Sequence, residues 1–80
     1  MVLKYLTRRE VHKGEQAEKA FRDEWVFIDG VIGASLYYDD MCESVVAALE
    51  FENRPPIKIA ISYEAYLLND NGKTIEKVRV

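Results

Sequence analysis

Three carboxylates crowd the middle of the chain: Asp39, Asp40 and Glu43. Hard oxygen ligands so close together suit Ca²⁺ or Mg²⁺, but an EF-hand site needs a longer loop with a central glycine and a terminal bidentate glutamate. That pattern is absent, and the residues read instead as caps at a helix start, with Glu43 at capping-box distance from Asp40. His12 is the only histidine. A nucleophile–base pair would need it beside Ser35, Ser44 or Ser62, none of which sits in a nucleophile-elbow motif. Gly30-Val31-Ile32-Gly33 has the glycine spacing of the backbone-clamping KH loop, but its interior is apolar and Asp29 precedes it, so it offers phosphate no basic cradle. Cys42, the single cysteine, has no basic neighbour in sequence to lower its thiol pKa and is expected to be a small buried hydrophobe on a helix. The chain is therefore expected to be non-enzymatic, with no metal and no cofactor.

Charge is the more unusual property. Residues 1–22 carry six bases and three acids, residues 23–52 carry eight acids and neither lysine nor arginine, and residues 53–80 carry five bases and three acids, for a net charge of −3. Helix starts and turns favour Asp and Glu, which accounts for part of the acidic block. The rest suggests an acidic surface that steers a basic partner by long-range attraction.

These residues need elements to position them. Val2 to Arg8 alternates as a half-exposed strand does, although Thr7 and Glu10 have capping-box spacing. From Glu15 to Glu24, Ala17, Ala20 and Phe21 recur at helical spacing with Trp25 extending the row, and Glu15–Lys19 and Glu18–Arg22 are favourable i,i+4 pairs, so a short amphipathic helix is predicted. Trp25 to Ile28, Asp29-Gly30 and Val31 to Tyr38 read as a β-hairpin with a bulge at Gly33, although the first run could also extend the helix. Met41, Val45, Ala48 and Leu49 line the stripe of a second, largely buried helix that Asn53 and Pro55-Pro56 end. Ile57 to Leu68 alternates as one strand, and Asn71-Gly72 turns it into a terminal hairpin pairing Leu68 with Ile75, Tyr66 with Lys77 and Glu64 with Arg79. A wider loop from Asn69 to Gly72 would preserve both faces.

The order is βαββαβ plus one strand, an α+β domain of ferredoxin-like arrangement: an antiparallel sheet with two helices on one face and an extra C-terminal strand forming the hairpin. Residues 1–80 fit a single domain. No apolar run has the length of a membrane span, and with no signal peptide and one cysteine the chain is expected to be cytoplasmic.

The first functional expectation is a small protein that acts by occupancy, docking Asp39, Asp40, Glu43, Glu50 and Glu52 on a basic protein, such as a nucleic-acid-handling complex, with Tyr37 and Tyr38 as anchors. In size and charge the chain resembles compact antagonists encoded by phages and mobile elements, such as anti-CRISPR proteins and uracil-DNA glycosylase inhibitors. That resemblance implies an inhibitor, and it rests on size and charge alone. The second expectation is a nucleic-acid-binding module using Lys4, Arg8, Arg9 and Lys13 with sheet aromatics, Tyr5 and Tyr37 or Tyr38, although the basic-glycine-aromatic signature of RNA-recognition modules is missing. The third is a homodimeric structural subunit, because Tyr63, Tyr66, Leu68 and Ile75 leave apolar groups on both faces of the terminal hairpin while helices cover one.

Overall fold

The computed structural model describes residues 1–13 and 18–80, with side chains for 1–9 and 20–80. Their described part is all β, with seven strands: β1 (Val2–Lys13), β2 (Glu18–Ile28), β3 (Val31–Asp39), β4 (Ser44–Phe51), β5 (Ile57–Ile61), β6 (Glu64–Leu68) and β7 (Thr74–Arg79). They form two antiparallel sheets, one ordered β2-β1-β6-β7 and the other β3-β4-β5. The expected α+β ferredoxin-like fold is overturned: no helix occurs among the described residues.

Both helix expectations failed for physical reasons. Phe21 and Trp25 are four apart, a spacing that places them on one face of a helix and equally on one face of a strand. Register with β1 decides between the two, because β2 pairs with it from Lys13↔Glu18 to Leu3↔Ile28. Glu15, Ala17 and the Glu15–Lys19 pair lie outside the described residues or side chains. The second predicted helix is β4, the middle strand of the smaller sheet. Its run Ser44-Val45-Val46-Ala47-Ala48-Leu49 is apolar on both sides, and such a run carries no periodicity that separates a buried strand from a buried helix. Ala47 and Leu49 are wholly buried and Val46 nearly so. Cys42 is not buried on a helix but exposed in the turn between β3 and β4.

A predicted hairpin and a predicted continuous strand both prove to cross between sheets. Asp29-Gly30 carries the chain from β2 to β3, which lie in different sheets. Gly30 has φ +74°, a left-handed conformation that glycine adopts without a side-chain clash. The long alternating run from Ile57 to Leu68 bends at Ser62-Tyr63, so that β5 belongs to one sheet and β6 to the other. Alternation survives the bend: Ile59 and Ile61 face the interior before it, Ala65 and Leu67 after it. The predicted bulge at Gly33 is present as a register shift between Val31 and Gly33.

One core joins the sheets. Leu3 and Ala65 from the larger sheet meet Val31, Ala47, Leu49 and Ile61 from the smaller, with Tyr5, Ile28, Leu36, Val45, Phe51 and Val78 packed around them. Val31 and Met1 exchange backbone hydrogen bonds, Val31 N–H to the Met1 carbonyl at 3.1 Å and Met1 N to the Val31 carbonyl at 2.8 Å, which ties β3 to the start of β1. Because β1 meets β6 only from Val2 to Tyr5, its later part pairs with β2 alone as a two-stranded ribbon.

The terminal hairpin keeps the predicted pairs Glu64↔Arg79 and Tyr66↔Lys77. Its turn differs. Gly72 N–H donates to the Asn69 carbonyl at 2.9 Å and Asn69 N–H to the Lys73 carbonyl at 2.8 Å, so the loop is Asp70-Asn71-Gly72 rather than Asn71-Gly72. Gly72 takes φ +78°, the left-handed residue that follows a type I turn in such loops. Asn69 Oδ1 accepts from the Asn71 and Lys73 amides at 3.0 and 2.9 Å, which fixes the turn. The extra loop residue is absorbed one step later as a bulge: Leu68 pairs with Thr74, and Ile75 has no opposite residue.

Candidate functional site

The larger sheet has one face in the core and one that no described element covers. In β1 the core takes Leu3 and Tyr5, so strand alternation turns Lys4, Leu6 and Arg8 outward. In β2 the same rule turns Phe21, Asp23, Trp25 and Phe27 outward, and Phe21, Trp25 and Phe27 are 64, 40 and 57% exposed.

Register then builds a row across all four strands. Phe27 pairs with Lys4, Lys4 with Tyr66 and Tyr66 with Lys77, giving the order aromatic, cation, aromatic, cation. Neighbouring strands lie about 4.8 Å apart, so the row spans roughly 14 Å. The Lys4 ammonium stands 4.4 Å from the Trp25 ring centroid, 5.8 Å from Tyr66 and 6.0 Å from Phe27. All three distances fall within cation–π range. The Trp25 and Tyr66 rings are tilted at 50° with centroids 6.0 Å apart. Shallow hollows of about 270 and 420 Å³ flank Tyr66, the first against Lys77, Val78 and Arg79 and the second against Thr74, Ile75 and Lys77.

Two ion pairs border the row. Arg8 Nε donates to Asp23 Oδ1 at 3.1 Å, and Arg8 also lies 5.3 Å from the Tyr63 ring centroid. The Asp23 carboxylate, through this hydrogen bond first and its negative charge as well, raises the Arg8 pKa. Arg79 binds Glu64 through Nη2 at 3.2 Å. Among the described residues, neither Lys4 nor Lys77 forms an ion pair.

The acidic residues fall otherwise. Asp39, Asp40 and Glu43 gather at the β3–β4 turn, where Asp39 Oδ1 accepts the Met41 amide at 2.9 Å and Glu43 adopts φ +52°. Asp39 thus caps a turn, not a helix. Glu50 pairs with Gly33 at the far end of the same strands and Glu52 follows in the next loop. Six residues of strand separate Ser44 from Glu50, roughly 20 Å, so the five acids do not form one patch. Tyr37 and Tyr38 point to opposite faces of β3, Tyr37 half-buried and Tyr38 60% exposed.

Of the expected self-association residues, Tyr66 and Leu68 lie on the uncovered face, Tyr63 sits at the bend before β6, and Ile75 is exposed at the bulge. Lys4 and Arg8 lie on that face too. Arg9, next to Arg8 on the strand, points the other way, and the side chains of His12 and Lys13 lie outside the described set. The expected aromatic partners are corrected: Tyr5 packs into the core and Tyr37 and Tyr38 belong to the other sheet, whereas Trp25, Phe27 and Tyr66 share the face with Lys4. A strand reading of Phe21 to Phe27 would have revealed the aromatic row, but the helix reading concealed it.

The three-stranded sheet has a groove of about 470 Å³ on its outer side, floored by Gly33, Ser35 and Ala48 and rimmed by Glu50, Pro56 and Lys58. A Cβ on Gly33 would come within 3.0 Å of Glu50 Oε2, so glycine makes room for that carboxylate. Among the described residues no polar side chain is buried and no set of three His, Cys, Asp or Glu side chains converges as metal ligands would. No helix of the described residues is long and apolar enough to cross a membrane. Comparison with protein-family models, with curated proteins and with solved structures returns no match to this chain.

Proposed function

We propose that this chain is a small non-enzymatic binding protein that acts by occupancy and engages its partner through the uncovered face of the four-stranded sheet. The row Phe27–Lys4–Tyr66–Lys77 is the observation that carries this reading. Exposed aromatic rings are enriched at binding hot spots, because rigid rings give contact area at low entropy cost, and the lysines between them add attraction for an anionic group. A cytosolic setting suits the exposed free thiol of Cys42, which an oxidising compartment would draw into mixed disulfides.

A second reading keeps the acidic face but confines it to the β3–β4 turn, where Tyr38 and the 95% exposed Met41 stand beside Asp39, Asp40 and Glu43. That turn offers apolar anchors within an acidic rim to a basic protein.

Site-specific photo-crosslinking in the source cell separates the two. A crosslinking residue placed at position 27 is expected to give a discrete adduct, and one at position 40 none. Adducts from position 40 alone would overturn the sheet-face reading in favour of the turn.

A further inference from the structure

We infer that the occupant of this sheet face is a single-stranded nucleic acid, an assignment that rests on the sheet-face reading above. The row alternates ring and cation in the way that a single strand alternates base and phosphate. Bases stack on exposed rings with little regard to sequence because every base has a π-face, and a basic track follows the backbone. Phe27, Tyr66 and the neighbouring Trp25 supply the rings, while Lys4 and Lys77, which form no ion pair among the described residues, supply the charge. A duplex keeps its base faces stacked inside and has nothing to offer these rings.

Charge on the whole molecule points the same way. Residues 29–61, which contain the three-stranded sheet, carry six acids (Asp29, Asp39, Asp40, Glu43, Glu50, Glu52) against Arg54 and Lys58. The remainder of the chain carries nine bases and eight acids. A polyanion is therefore repelled from one sheet and turned toward the other despite the net negative charge. Binding exchanges one contact for two. The Lys4 ammonium leaves the face of Trp25 for a phosphate, and the vacated ring accepts a base.

Trp25 is the only tryptophan, so its fluorescence reports directly from the site. Titration of the full chain with a short oligothymidine and a short oligouridine at low salt is expected to quench it, and a duplex of equal length to leave it unchanged. Log affinity should fall linearly with log salt, and Lys4→Gln and Lys77→Gln should each flatten that slope by about 0.7. Phe27→Ala, at a position more than half exposed, should weaken binding roughly 5- to 150-fold, while Tyr38→Ala, an exposed aromatic of the other sheet, leaves it unchanged. Unaltered far-ultraviolet spectra of the variants show that folding is intact. Absence of quenching by either oligonucleotide, equal affinity for duplex, or equal weakening by Tyr38→Ala would overturn the inference. Should position 27 crosslink to a protein or to a second copy of this chain while no oligonucleotide binds, the nucleic acid is refuted and the sheet-face reading stands. Should position 27 give no adduct of any kind, both fall.

Discussion

The two sheets share a core and differ in what they turn outward. The three-stranded sheet shows a floor of small residues, Gly33, Ser35 and Ala48, with its acids at its two ends, Asp39, Asp40 and Glu43 around the β3–β4 turn and Glu50 and Glu52 where β4 finishes. The larger sheet shows rings and cations in register across every strand. Backbone pairing is of one kind in both, so the contrast arises from side chains alone. One sheet turns small side chains outward in its middle, the other exposed rings and lysines.

That comparison breaks most readily at the core. Leu3 and Leu49, one from each sheet, are fully buried, and Leu3→Ala or Leu49→Ala should each cost about 2–5 kcal/mol by urea denaturation. Total stability of a domain this size is only about 4–12 kcal/mol. If the core is shared, Leu49→Ala also raises hydrogen exchange at Val2 to Tyr5 in the opposite sheet; unchanged protection there would mean that the sheets are stabilised separately.

Smaller effects test the crossings and turns. Gly30→Ala and Gly72→Ala place a Cβ where nothing lies within 4 Å, so only the left-handed backbone objects, at roughly 1–2 kcal/mol in thermal or chemical unfolding. Lys4→Met should cost about 0.5–1 kcal/mol, the worth of an exposed cation–π contact. Met41→Ser, at the exposed turn of the acidic sheet, should stay within about 0.5 kcal/mol of the parent. A Met41 effect larger than that of Lys4 would reverse the contrast, since it would place structural weight on the turn and none on the ring cluster.

Strands with one wet face were legible in the sequence. Val2 to Arg8, Val31 to Tyr38 and the Glu64–Tyr66 register followed from alternation, and the Gly33 bulge from the absence of a side chain. What misled was ambiguity of period. Ser44 to Leu49 is apolar on both faces, and the Phe21–Trp25 spacing satisfies two periodicities at once, so only pairing across the fold decides. The bends at Asp29-Gly30 and Ser62-Tyr63 were read as a hairpin and as continuous strand because local chemistry does not record which sheet the next strand will join. The acidic cluster at Asp39, Asp40 and Glu43 was legible as a cluster. Its separation from Glu50 and Glu52 was not, because distance along a strand becomes distance in space only once the strand is known.

The pairing of β1 with β6 also sets an order in time. Val2 meets Leu68, whereas every other strand pair joins neighbours in the chain. Contacts close in sequence form quickly, while distant ones must first bear the entropy of closing a long loop. The hairpins β1–β2 and β6–β7 and the three-stranded sheet are therefore expected to form first, and the seam between β1 and β6 last, when β6 slots in beside β1 and brings Tyr66 to Lys4. Pulse-labelled hydrogen exchange should show the β4 amides protected before those of Val2 to Tyr5 that bond to β6; simultaneous protection would remove this order. On this order, the row from Phe27 to Lys77 is complete only once β6 has docked beside β1.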